Sequence, residues 1–320
     1  MERDCRSAYD ELLQFKRDIY LYESGWSSIT WDSLTTLPLG ARNQRTEVMG
    51  ILGKTYQRMV SNPKIGELLN HVLKSPDFET FDAIQKRNIY LIEKQYAEYR
   101  KLPEDYMARF MKQMNVTRQK WVEAKEKNDW MIVESEFEKM FSIMIEKAEY
   151  LMDAVGVSNP YDYHFNWWEE GMSASVISKI FAQLTKALRP MIIKYAPQTD
   201  SIRTDFLTRP VSKELQRMLA ESLAKLVGYD IKSESAVGLI GETMHPFSIG
   251  RYDDVRIALR FIEDYPLDSY RCTLHECGHA LYKINLDRAL MYQPVGMEAG
   301  FGIDESQAKF LEYMIGFSPE

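Results

Sequence analysis

A chain of 320 residues, 45% hydrophobic and 12% aromatic, can bury a sizeable core in one large domain or two ordinary ones. Its 40 basic and 47 acidic residues give a net charge of −7 without long single-sign blocks, so the sequence carries no basic footprint for nucleic acid. No apolar run reaches the length of a membrane span, and the N-terminus MERDCRSAYDELLQF is charged from its second residue, which argues against a secretory signal.

From Glu2 to about residue 230 apolar residues recur at three and four, as in Ile89, Ile92, Tyr96 and Tyr99, or Met140, Ile143, Met144, Ala148 and Leu151. That spacing predicts helix after helix. Breaks are expected at Leu34 to Gly40, Ser61 to Pro63, Ser75 to Asp77, Leu102-Pro103, Ser158 to Tyr161, Ala196-Pro197 and Arg209-Pro210, where turn chemistry interrupts the pattern. None of these is long enough for a flexible linker, and no internal repeat is visible, so 1–230 reads as the helical part of a single domain. Cys5, Cys272 and Cys277 are too few for a disulfide framework, and a cytoplasmic location is expected. The sequon at Asn115 to Thr117 reads as a chance match in such a chain.

The pattern changes after Lys232. In DDVRIALRF, Val255, Ile257, Leu259 and Phe261 alternate with Arg256, Ala258 and Arg260, a period of two that predicts a strand with one buried face. Tyr265-Pro266 should end it, and Asp268 or Ser269 could cap the helix that follows. Residues 231–320 therefore read as a short sheet and helices that carry the chemistry.

That helix carries TLHECGHALYKI. His275 and His279 lie one turn apart on one face, where two imidazoles can bind a single tetrahedral zinc. Glu276 is rotated roughly 100° from the first of them, so it can stand beside the metal and deprotonate a bound water. Gly278 would let another backbone approach closely. The alternative is an amphipathic helix that carries ordinary polar residues. Cobalt or manganese could occupy the same donors.

A catalytic zinc usually takes three protein ligands, so the downstream chain must supply one more. In GFGIDESQAKFLEYMIG, Asp304 and Gln307 read as a helix-capping pair, which puts Glu305 in the first turn. Glu298, in the looser GMEAGFG segment, is its rival, and Cys272 shares a face with both histidines as a conceivable thiolate ligand. Glu312, two turns beyond Glu305, suits a supporting role. Upstream, Arg256 could face the site and hold substrate or could pair with Asp253 or Asp254. His245 could bond substrate or be a satisfied loop histidine.

HPF at His245 to Phe247, DVRIA at Asp254 to Ala258, HECGHALY at His275 to Tyr282 and GIDESQ at Gly302 to Gln307 form an ordered set. With weaker echoes at Thr30 to Arg45 and Tyr161 to Met172, the chain resembles the carboxypeptidase Taq family of zinc metallocarboxypeptidases over essentially its whole length. The resemblance implies a mainly α, multi-helix fold with a small sheet beside an active-site groove, a homodimer, and removal of C-terminal residues from peptides with broad specificity. It assigns His275, His279 and Glu305 to zinc and Glu276 to the general base.

Three departures stand out. The family's strand motif D-x-R-x-T ends here in Ala258, and its H-E-S-Q reads Asp304-Glu305-Ser306-Gln307, where the extra carboxylate is expected to add negative charge at the metal. The chain also ends soon after the helix of Glu305, where family members continue, with an arginine thought to grip the substrate's terminal carboxylate. The sequence thus leaves three functions open: a metallocarboxypeptidase, a truncated zinc-binding homologue of weak or no activity that exposes apolar surface, or an oligopeptidase.

Overall fold

The computed structural model describes residues 4–318, and the start of the helical reading at Glu2 lies outside them. The described residues form a mainly α protein with one three-stranded sheet. They divide into two compact units: 4–151 with 250–252 and 285–299, and 152–249 with 253–284 and 300–318.

The first unit holds α1 (Cys5–Thr35), α2 (Arg42–Val60), α3 (Pro63–Lys74), α4 (Ala83–Lys101), α5 (Tyr106–Lys127) and α6 (Glu134–Leu151). Local chemistry sets their ends. Pro63 opens α3 behind an Asn62 cap, and Asp82 with Gln85 closes a reciprocal capping box on α4. α5 stops at Asn128, a left-handed residue (φ 50°) and a break that the apolar periodicity does not announce. Leu12, Ile65, Leu68, Val72, Ile89 and Ile92 share one buried cluster, each aliphatic side chain of that size contributing about 1.5–3 kcal/mol.

The second unit holds α7 (Pro160–Trp168), α8 (Ala174–Tyr195), α9 (Lys213–Val227), the strands β1 (Gly238–Glu242) and β3 (Asp254–Leu259), α10 (Pro266–Ile284) and α11 (Phe301–Met314). β2 (Phe247–Arg251) completes a sheet in the order β1-β3-β2. β3 runs parallel to β1, with Gly238 opposite Val255 and Glu242 opposite Leu259. The expected alternation is present, since Val255, Ile257 and Leu259 are fully buried while Arg256 is partly exposed, but Ala258 on the other face is buried too. A small apolar side chain there leaves no hydroxyl in need of a partner. These strand residues pack with Ala220, Ala224, Cys277 and Ala280, which fixes α10 between the sheet and α9.

α8 is the exception to this packing. It is a capped helix of 22 residues with none buried, and it exposes Val176, Ile180, Phe181, Leu184, Leu188, Met191, Ile192 and Ile193.

Candidate metal centre

Both helices that carry the site begin earlier than their capping signals suggest. α10 starts at Pro266, whose fixed φ suits a first helical position, so Asp268 lies inside the first turn and the Ser269 hydroxyl sits 2.8 Å from Gln216 Oε1. α11 starts at Phe301 behind an extended Gly300, and its Gly302 N–H donates to Glu169 Oε2 at 2.9 Å. The carboxylate serving the start of α11 thus comes from more than a hundred residues upstream in sequence, a partner that no local pattern could reveal. Asp304 is thereby freed from a capping role, and Glu305 stands in the second turn.

α10 and α11 pack closely because of Gly278. A Cβ at that position would lie 2.5 Å from Ala308 Cα and 2.6 Å from the Gln307 carbonyl oxygen. This contact is the close backbone approach expected from the glycine in the motif.

The approach brings His275, His279 and Glu305 together, with ligand atoms all within 4.8 Å of one another. The two imidazole rings are 4.9 Å apart and nearly perpendicular. His275 Nε2 lies 3.7 Å from one oxygen of Glu305 and His279 Nε2 lies 3.8 Å from the other. Those separations are too long for hydrogen bonds. They are close to the roughly 3.3–3.6 Å expected between neighbouring ligand atoms when bonds of about 2.0–2.2 Å converge tetrahedrally on one ion. The imidazoles are largely enclosed, and Glu305 is half exposed.

The other ring nitrogens are occupied. His275 Nδ1 is 2.8 Å from Glu312 Oε2, and His279 Nδ1 is 2.7 Å from Asp304 Oδ1. Donation from Nδ1 to a carboxylate leaves the Nε2 lone pair of a neutral imidazole for a metal. Burial lowers the pKa of His275, against the opposing pull of Glu312, which favours that neutral form. Burial works to raise Glu312, but bonds from Lys309, His275 and Arg271 overcome it and hold the carboxyl at about 2.

Glu276 differs from both. It is 5% exposed, and its Oε2 is the buried side-chain atom without a hydrogen-bond partner among the described residues. Burial pushes its pKa up to about 7, with Glu305 and Asp304 adding to the rise and His279 and Lys283 opposing it. A carboxyl in that state can take or release a proton near neutrality.

The remaining candidates lie elsewhere. Glu298 is bound to Arg251 at 2.7 Å, and Cys272 is a buried thiol beside Asp268 with its pKa pushed up to about 12, so neither joins the three converging groups. Arg256 forks onto Asp254 through Nε at 2.7 Å and Nη2 at 2.8 Å. His245 is exposed in the connection between β1 and β2.

Fold and site together define a class: a helical protein in which two imidazoles and a carboxylate, placed where they could hold one ion, stand on two packed helices with a buried carboxylate beside them. Residues 11–320 match the family described as Carboxypeptidase Taq (M32) metallopeptidase, and the chain belongs to that family. It is 29% identical to carboxypeptidase 1 of Bacillus subtilis over 96% of its own length and 60% of the relative's. Thermostable carboxypeptidase 1 of Thermus thermophilus is also 29% identical, over 98% and 62% respectively. The crystal structure of BsuCP superposes with a TM-score of 0.90 at 27% identity, covering 98% of this chain and 61% of that one. The chain therefore spans about three fifths of the length of these relatives.

Proposed function

We propose that the chain is a zinc-dependent metallocarboxypeptidase in which His275, His279 and Glu305 hold the ion and Glu276 is the general base. The observation that carries this reading is the convergence of two imidazole Nε2 atoms and one carboxylate, with an unpartnered buried carboxylate one residue from the first imidazole. Zinc suits two imidazoles and a carboxylate, and cobalt or manganese would fit the same donors. When bound, such an ion supplies Lewis acidity that polarises a peptide carbonyl and acidifies water.

The protein's own groups do the rest. Glu276 Oε2 has no competing bond, so it accepts the proton of the attacking water and returns it to the departing amine. Glu312, gripped by Arg271 at 3.0 Å and Lys309 at 2.8 Å, holds the His275 ring in place. His245 and Arg256 are proposed peptide contacts. Arg256 would have to loosen its fork on Asp254 to serve. Residues 1–320 are proposed to act as one metallopeptidase domain, cytoplasmic and homodimeric, on peptides with broad specificity.

A second reading is a zinc-binding homologue of little turnover, since Arg256, a proposed peptide contact, is held by Asp254. The test pairs metal analysis of purified protein with mass-detected digestion of a peptide. The expected result is one zinc per chain and stepwise loss of C-terminal residues, abolished in Glu276→Gln while zinc is retained. Internal fragments would move the reading to an oligopeptidase. Zinc without any product would favour the second reading, and absence of stoichiometric metal would sink both.

A further inference from the structure

The sequence sets Asp304 beside Glu305 as an added negative charge at the metal, and the structure gives that charge two partners. Asp304 Oδ1 lies 2.7 Å from His279 Nδ1, and Oδ2 lies 3.6 Å from Lys283 Nζ. Lys283 stands one turn beyond His279 on α10, is 9% exposed, and donates to Ser248 Oγ on β2 at 2.9 Å. A buried ammonium is retained where an anion and hydrogen bonds compensate it.

We propose that Asp304, braced by Lys283 and through it by Ser248 of β2, is a positioning residue that fixes the ring and tautomer of His279. The chain Ser248–Lys283–Asp304–His279 is the counterpart on one imidazole of the Arg271 and Lys309 grip on Glu312 and His275. Each ring nitrogen that faces away from Glu305 meets a carboxylate, and each carboxylate meets a cation. The second carboxylate beside the donor set is therefore offset by Lys283 and adds little net charge there.

This inference rests on the reading of His279 as a metal ligand, so its test has one arm that needs no metal. In metal-free protein with nitrogen-labelled histidine, the ring of His279 is expected to show one tautomer, protonated at Nδ1. Asp304→Ala should give a mixture of tautomers, and Asp304→Asn, which keeps an acceptor oxygen, should restore the single form. In chelator competition, Asp304→Ala should weaken zinc binding by about 10–100-fold and Asp304→Asn by less. His279→Ala should remove stoichiometric binding. A single Nδ1–H tautomer in Asp304→Ala would overturn the proposal, as would wild-type zinc affinity in that variant. Should wild-type protein bind no zinc, the reading of the site fails, while the tautomer measurement still decides the role of Asp304. If the alanine variant does not fold, the proposal stands or falls on Asn: a mixed tautomer in folded Asp304→Asn counts against it.

Discussion

An ionised carboxylate buried without a partner destabilises a fold, and Glu276 carries that burden when no metal is bound. Its folded-state pKa of about 7 lies above the ordinary 4.5, so the folded chain holds a proton that the unfolded chain has released between those values. The stabilising contribution of the neutral acid is complete below the ordinary value and is lost as pH rises through about 7. Metal-free Glu276→Gln should therefore resist urea better than wild type near about pH 8, by about 3 kcal/mol at most, and the gap should close near about pH 5. An unchanged gap across that range would show that Glu276 is not the titrating group. At this scale the sequence made the helical trio readable, because residues one turn apart on one helix meet through local geometry alone. Glu305 could not be separated from Glu298 by spacing, since a third donor comes from a distant element. The pairing of Asp304 with Lys283 was hidden for the same reason.

The two helices of the site depend on a missing side chain. Gly278→Ala would place a methyl against the backbone of Ala308, and neither helix can move aside without separating the imidazoles from Glu305. The expected cost is about 1–3 kcal/mol in stability, with zinc affinity reduced because the donors no longer converge. Thermal unfolding and chelator competition check this together, and wild-type values in both would mean that α10 and α11 do not touch at Gly278. The motif made this glycine legible, as it made the strand over 254–259 legible through its period of two. Helix starts were less so. Signals at Asp268 and at Asp304 with Gln307 are short and frequent, and the actual starts were set by Pro266 and by Glu169, the latter far away in the chain.

Over the whole molecule, part of the apolar periodicity read from the sequence, as in Ile89, Ile92 and Tyr96, ends up in a buried cluster, and that of α8 does not. Its exposed row from Val176 to Ile193 exceeds the scattered apolar residues normal on a surface. Replacing Phe181 and Leu188 with glutamate should reduce concentration-dependent self-association of the 320-residue chain in light scattering and leave zinc stoichiometry unchanged, since the donors lie on α10 and α11. Undiminished association would place the adhesive surface elsewhere. The periodicity alone could not separate α8 from the buried helices, because a stripe records what a helix can bury and says nothing of what lies opposite. α11 offers the contrasting case: only Ala308 and Glu312 are buried along its length, yet it brings one donor to meet two from α10. An ion seated there would work as a removable rivet. It would close a loop between two stretches of backbone much as a disulfide does, but with a strength set by the free metal concentration, so α11 would be held as tightly as its surroundings are rich in metal.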